Sequence, residues 1–294
     1  MIVPEAESGR RFLGSKGEAE AAVVLFGAPM DWTVSFRPGA RFGPEAIRRA
    51  SVVLETYSPA LDGDLADVLY ADAGDVALPF GNTALALERL EAVAAGLVAA
   101  GKVPFALGGE HLVSLPLVRA VRRRYPDLAV VHIDAHADYR EAYEGEVLSH
   151  ATVIRRIAEA VGGGRVFSFA VRSGTAEEFR AARSELRFFP FALAEPLEAV
   201  LPELAGRPVY LTVDIDALDP AYAPGTGTPE PDGISPAELF SALRRLAAAG
   251  VRLVGADLVE VAPAYDPTER TAVLAAKIVR ELLIGFWSRR RSVL

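Results

Sequence analysis

The chain has 294 residues, 51% hydrophobic and 24% charged, which is enough apolar material for one large α/β core. A net charge of −8 argues against nucleic-acid binding and is easier to reconcile with a cationic partner. Cysteine is absent, which excludes disulfides and thiolate metal ligands.

The N-terminal MIVPEAESGRRFLG lacks the apolar run of a signal peptide, and no later stretch is long enough to span a bilayer. A soluble cytoplasmic protein with no membrane contact is therefore expected. The first strand is expected at 22–28, followed by a helix at 43–57 that opens on Gly43-Pro44-Glu45. A helix at 83–101 leads to a strand at 103–107, which runs into Gly108-Gly109-Glu110-His111. After a helix at 112–125, the strand at 129–133 runs into Asp134-Ala-His136-Ala-Asp138. A helix at 151–162, a strand at 166–171 and a helix at 176–184 follow, and a strand at 209–213 ends in Asp214-Ile215-Asp216. Ser235-Pro236-Ala237-Glu238 opens a helix at 235–249. Within the apolar run at 251–259, a strand at 251–256 runs into Asp257-Leu258-Val259-Glu260, and a helix at 269–286 closes the series. These strands are apolar on both faces, and their alternation with helices implies a mainly parallel sheet covered on both sides. No linker or repeat divides the chain, so one domain over 1–294 is expected.

In open parallel sheets ligands bind beyond the carboxyl ends of the strands, and the polar residues of this chain gather there. Alternation along an extended chain predicts that Asp134, His136 and Asp138 point one way, as do Asp214 and Asp216. Four aspartates at one rim repel each other, and bound cations relieve the repulsion better than protonation, because histidines arrive in the same cluster. The donors are carboxylate and imidazole, a hard set that suits manganese, or alternatively zinc, iron or cobalt. Six candidate ligands, His111, Asp134, His136, Asp138, Asp214 and Asp216, are too many for one catalytic ion and suit two with bridging carboxylates. A lone Asp-x-Asp after a strand is commonly a turn or cap. The coincidence of these pieces at successive strand ends is what points to metal. His132 lies deeper in its strand and is expected to be structural or to support a ligand.

Taken in order, Gly108-Gly109-Glu110-His111, Asp134-Ala-His-Ala-Asp138, Ser149-His150-Ala151-Thr152, Asp214-Ile-Asp-Ala-Leu-Asp-Pro220 and Asp257-Leu-Val-Glu-Val261 resemble the signature segments of the arginase/agmatinase ureohydrolases. The likeness extends to Phe36-Arg-Pro-Gly-Ala-Arg-Phe-Gly-Pro44 and Thr226-Gly-Thr-Pro229 and covers nearly the whole chain. It implies a three-layer α/β/α domain with two Mn2+ per subunit that hydrolyses a guanidinium group to urea and an amine. By the same resemblance, His111, Asp134, Asp138 and Asp214 would hold one ion, and His136, Asp134, Asp214 and Asp216 the other. Glu110 departs from the Asp more usual before this histidine in arginases, but Glu is found there among agmatinase-like members. Two ions activate water as a nucleophile near neutral pH, and a net-negative site attracts a cation while repelling a phosphate ester. Glu260 would hold the guanidinium through paired charge-assisted hydrogen bonds, and His150 would pass a proton to the departing amine. His150, Glu260 and Asp138 are thus the expected catalytic residues, with Glu260 and His150 also binding substrate.

The segment 139–149 should meet the substrate tail. It lacks the Asn/Thr/Ser-rich loop that binds the α-amino acid end in arginases and carries Glu141, Glu144 and Glu146 with two tyrosines. Those groups suit a cationic tail, so agmatine is the expected substrate, with putrescine as product and a place in polyamine biosynthesis. Aminopropylagmatine remains an alternative, and Arg140 keeps arginine and guanidinobutyrate open. Arg172 has an agmatinase-type setting or a packing role. Two other classes compete: a single-zinc amide hydrolase of the deacetylase type, and a non-catalytic metal-binding relative. The resemblance implies a homotrimer or homohexamer, for which Trp287-Ser-Arg-Arg-Arg-Ser292 is a candidate contact.

Overall fold

Strands that are apolar on both faces need a layer of helices on each side. The computed structural model, which describes residues 6–7 and 10–289, is built that way. In chain order the elements are β1 (Ala6–Glu7), β2 (Val23–Ala28), α1 (Gly43–Ser51), β3 (Tyr57–Ser58), β4 (Gly63–Asp64) and β5 (Tyr70–Val76). Then come α2 (Thr83–Ala99), β6 (Val103–Gly108), α3 (Ser114–Arg124), β7 (Ala129–Ile133), α4 (Val153–Val161) and β8 (Val166–Phe169). The remainder are α5 (Ala176–Glu185), β9 (Arg187–Phe189), α6 (Ala194–Leu204), β10 (Pro208–Asp214), α7 (Pro236–Ala248), β11 (Arg252–Val259) and α8 (Arg270–Trp287).

The main sheet runs β1-β5-β2-β6-β11-β10-β7-β8-β9. All its neighbours pair in parallel except the edge strand β1, which is antiparallel to β5. Alternate residues of each strand feed two separate cores. Val23, Leu25, Phe105, Leu107, Val131 and Ile133 meet α1, α6, α7 and α8 on one face. Val24, Phe26, Ala106 and Val130 meet α2, α3, α4 and α5 on the other. The three-layer α/β/α expectation holds.

The short strands β1, β3, β4 and β9 escaped the sequence reading, as did two longer elements, β5 and α6, for identifiable reasons. Tyr70–Val76 reads YADAGDV, too polar for a buried strand, yet β5 sits inside the sheet. Arg48 of α1 resolves the conflict: Nε and Nη2 donate to the two oxygens of buried Asp72 at 2.8 and 2.9 Å, and Nη1 reaches Asp75. Helix α6 contains Pro196 and Pro202, which argue against a helix locally; burial of Leu197, Val200 and Leu204 overrides them. The helix expected over 43–57 stops at Ser51, because β3 turns back to pair antiparallel with β4. Among the described residues no helix is long and apolar enough to cross a membrane. The C-terminal segment 287–292 lies partly outside the described residues.

Candidate metal centre and active site

The four central neighbours β6, β11, β10 and β7 are far apart in sequence, yet their carboxyl ends meet at one rim. Each loop there is shaped by its own backbone. Beyond β6, a Cβ on Gly109 would lie 1.9 Å from the Met30 carbonyl oxygen, so only glycine lets this loop approach closely enough to deliver His111. Beyond β7 the strand ends at Ile133, and the next residues do not keep the strand pleat: the Asp134 carboxylate accepts His136 N–H at 2.6 Å, and Asp138 takes φ 48°. Asp214 closes β10 and accepts Asp216 N–H at 2.8 Å, opening a 3-10 turn over Ile215–Ala217. The expected convergence is present, but its cause is corrected: aspartate-capped turns, not alternation along an extended chain, bring these side chains together.

All six candidate ligands meet. His111 Nδ1 lies 2.9 Å from Asp134, 3.2 Å from Asp138 and 3.4 Å from Asp214. His136 Nδ1 lies 3.0 Å from Asp216 and 3.6 Å from Asp134. Asp134, His136 and Asp216 are compact enough to share an ion. His132 also groups with His111 and Asp134, but both its ring nitrogens are engaged, Nδ1 with Ser168 Oγ and Nε2 with Asp134 Oδ2, each at 2.9 Å. It therefore orients Asp134, as expected.

The fit to a metal can be tested on His111. Its Nε2 is 2.9 Å from Thr212 Oγ1, which also lies 3.3 Å from Ser114 Oγ. With Nε2 engaged by Thr212, Nδ1 is the ring nitrogen that faces three carboxylates. Three oxygens lie within 3.4 Å, but none is aligned for a hydrogen bond, and Nδ1 is buried without a partner. A buried imidazole nitrogen with no aligned partner among three carboxylates is a donor set that a bound cation would complete. The electrostatics show how closely the charges are crowded. Burial, then Asp216 and Asp134, push the Asp214 carboxyl well up; burial, then Asp134, raise Asp138; burial, then Glu110, push Glu260 well up. Burial alone would lower His111 and His136, but adjacent carboxylates raise both well above the usual imidazole range. These carboxylates and imidazoles fit hard divalent ions.

The cluster forms the floor of a cleft of about 270 Å³. Glu260, in the left-handed region at φ 63°, is anchored by its N–H to Gly109 O at 2.8 Å, and its Oε1 accepts His111 N–H at 2.7 Å. The strand expected to end at 256 continues as β11 through Val259, so Asp257 is not at the rim but inside the sheet beneath His111, where Tyr210 OH donates to it at 2.5 Å. His150 lines the cleft wall, edge-on to Tyr143 with centroids 5.6 Å apart. Burial lowers its pKa. Arg140 and Tyr143 also line the cleft, but Arg140 is 3.5 Å from Glu178 and stacked over Tyr143, a partner outside the three glutamates of its own loop. Glu178 was missed as a cleft residue because Thr175-Ala-Glu-Glu178 reads as, and is, a helix capping box. Of the loop acids, Glu144 and Glu146 line an adjoining groove that shares Ser35 and Tyr143 with the cleft, and Glu141 lines neither. Arg172 spends its donors on the carbonyls of Asp216, Ala217, Glu230 and Pro231, which gives it the packing role.

A parallel α/β/α sheet with a carboxylate–imidazole cluster and a buried acid over it defines a metallohydrolase-type architecture. Comparison with known proteins narrows that class. A model of the Arginase family matches residues 21–285. The agmatinase of Bacillus subtilis (strain 168) is 54% identical over 288 residues, covering 97% of this chain and 99% of that one. The agmatinase of Halalkalibacterium halodurans is 55% identical over 97% of this chain and 100% of its own length. The crystal structure of agmatine ureohydrolase of Thermoplasma volcanium superposes with a TM-score of 0.85 at 34% identity, covering 94% of each chain. This chain belongs to the arginase family.

Proposed function

We propose that this protein is a manganese-dependent agmatinase, which hydrolyses the guanidinium group of agmatine to putrescine and urea. The observation that carries the reading is the buried Glu260 carboxylate set beside the His/Asp cluster in one acidic cleft, joined to a full-length likeness to bacterial agmatinases.

In this reading His111, Asp134, Asp138 and Asp214 would hold one ion and His136, Asp134, Asp214 and Asp216 the second. When bound, two such cations lower the pKa of water enough to supply a nucleophile near neutral pH. Glu260 accepts two guanidinium N–H bonds and presents the carbon to the attacking oxygen. Asp138, on the cleft lining, accepts a hydrogen bond from the attacking water and steers it. As the C–N bond breaks, His150 delivers a proton to the departing amine, which leaves as putrescine. Arg140, already opposed by Glu178 and Tyr143, is poorly placed to hold a carboxylate tail, which favours a substrate ending in ammonium. The 1–294 chain is read as one catalytic domain, cytoplasmic and assembled as a homotrimer or homohexamer, a state that light scattering measures.

Urea release from agmatine, aminopropylagmatine, arginine and guanidinobutyrate, compared at equal concentration with added manganese, tests the assignment. Agmatine is expected to lead; a clear preference for arginine or guanidinobutyrate overturns it. Metal analysis is expected to find two ions per chain, and one zinc would point to the amide-hydrolase class.

A further inference from the structure

Glu110 is fully buried and one of its oxygens, Oε1, has no hydrogen-bond partner. The other oxygen, Oε2, accepts both the backbone N–H of Thr33 at 3.0 Å and its hydroxyl at 2.7 Å. Thr33 in turn faces His150: its Oγ1 accepts the His150 backbone N–H at 2.9 Å and lies 3.2 Å from the ring Nδ1. These three residues come from separate segments, and nothing in the reading above uses Thr33 or Glu110.

Donor counting makes the chain directional. A threonine hydroxyl has one hydrogen and two lone pairs. Its hydrogen goes to Glu110, one lone pair takes the His150 backbone N–H, and only a lone pair remains for the ring. His150 Nδ1 must therefore carry a hydrogen, which leaves Nε2 as the nitrogen that exchanges a proton in the cleft, 3.4 Å from Ser35 Oγ. We propose that Thr33, itself oriented by Glu110, is a positioning residue that fixes the ring orientation and tautomer of His150. The inference rests on the proton-transfer role given to His150 above. Protonation of Glu110 at Oε1 leaves the arrangement intact, since both Thr33 bonds end on Oε2. From the residue beside His111, the Glu110 side chain reaches both the backbone and the hydroxyl of Thr33.

A double-mutant cycle on the manganese-loaded enzyme, read as kcat and KM for agmatine, tests this. His150→Ala is expected to keep its ions and lose kcat. Thr33→Val, which removes the hydroxyl and keeps the shape, is expected to lower kcat about tenfold or more, with KM within about twofold and metal content unchanged. Thr33→Ser is expected to restore the rate, and Thr33→Val is expected to cost nothing further when added to His150→Ala. A normal kcat in Thr33→Val, loss of metal from it, or full additivity in the double variant overturns the inference while the His150 role stands. A fully active His150→Ala overturns the His150 role itself. If Thr33→Val does not fold, Thr33→Ala replaces it in the same cycle with the same expectations.

Discussion

Asp214 carries the strongest conflict at the scale of single residues. It closes β10 with its carboxylate 3% exposed, next to Asp216 and Asp134. In the proposed centre Asp134 and Asp214 would each bridge the two ions, so removing either should cost the ions as well as the reaction. Asp134→Ala and Asp214→Ala are each expected to emerge from purification metal-depleted and without urea release; an active Asp214→Ala enzyme with its full metal complement refutes the bridging role. His150→Ala should behave differently, keeping both ions while kcat falls about a hundredfold or more. Metal loss from that variant would mean the residue has been misassigned. The six ligand candidates were legible because Asp and His rarely end apolar strands together. Glu178 was not, because its capping box satisfies a local rule and hides its position on the cleft wall.

Strand ends and the turns that follow them decide the geometry at the scale of elements. Gly109 is the sharpest case, since a methyl group there collides with backbone. Gly109→Ala is expected to displace the His111 loop and weaken metal binding by about tenfold or more, measured by titration of the metal-free protein with manganese. Unchanged affinity would show that the loop adapts. Away from the site, Arg48 neutralises the carboxylates of β5, with its own side chain 2% exposed. Arg48→Met leaves Asp72 buried and unpaired and should cost about 3–5 kcal/mol in denaturant unfolding. A loss below about 1 kcal/mol would mean Asp72 is hydrated or protonated without penalty. Elements whose patterns agreed with their burial were legible; β5 and α6 were not, because Arg48 and the packing of Leu197, Val200 and Leu204 overrule their composition.

For the whole molecule, the cluster makes stability depend on pH and on metal together. In the metal-free protein, Asp138, Asp214 and Glu260 are raised above their unfolded values near 4, and His111 and His136 above theirs near 6.5. A raised group contributes stability that is present below its unfolded pKa and is lost as pH climbs through the folded one. Asp134, lowered by His111, His132 and His136 against its burial, and His150, lowered by burial, act in the opposite sense. Their effects fall below about pH 6.5. Between pH 7 and 9 the EDTA-treated protein should therefore lose thermal stability with rising pH. The manganese-loaded protein should melt at a nearly constant, higher temperature. Ions at a hundred times their Kd add about 2.7 kcal/mol. A metal-free Tm that rises across this interval sinks the account.

The sequence by itself determined the layer architecture and the donor types of the candidate ligands, because these follow from hydrophobic period and side-chain chemistry, both local properties; the reaction class followed from the resemblance of its segments to the ureohydrolases. Only the tertiary structure decided how the ligands meet. Capped turns converge them at the ends of β6, β11, β10 and β7, strands that are neighbours in space and separated in the chain. It likewise decided that Asp257 lies beneath the cluster and that Thr33 meets Glu110 and His150, which are 77 and 117 residues from it in the chain. The reason is physical: a hydrogen bond depends on distance and direction in space, and residue spacing carries neither once the chain has turned.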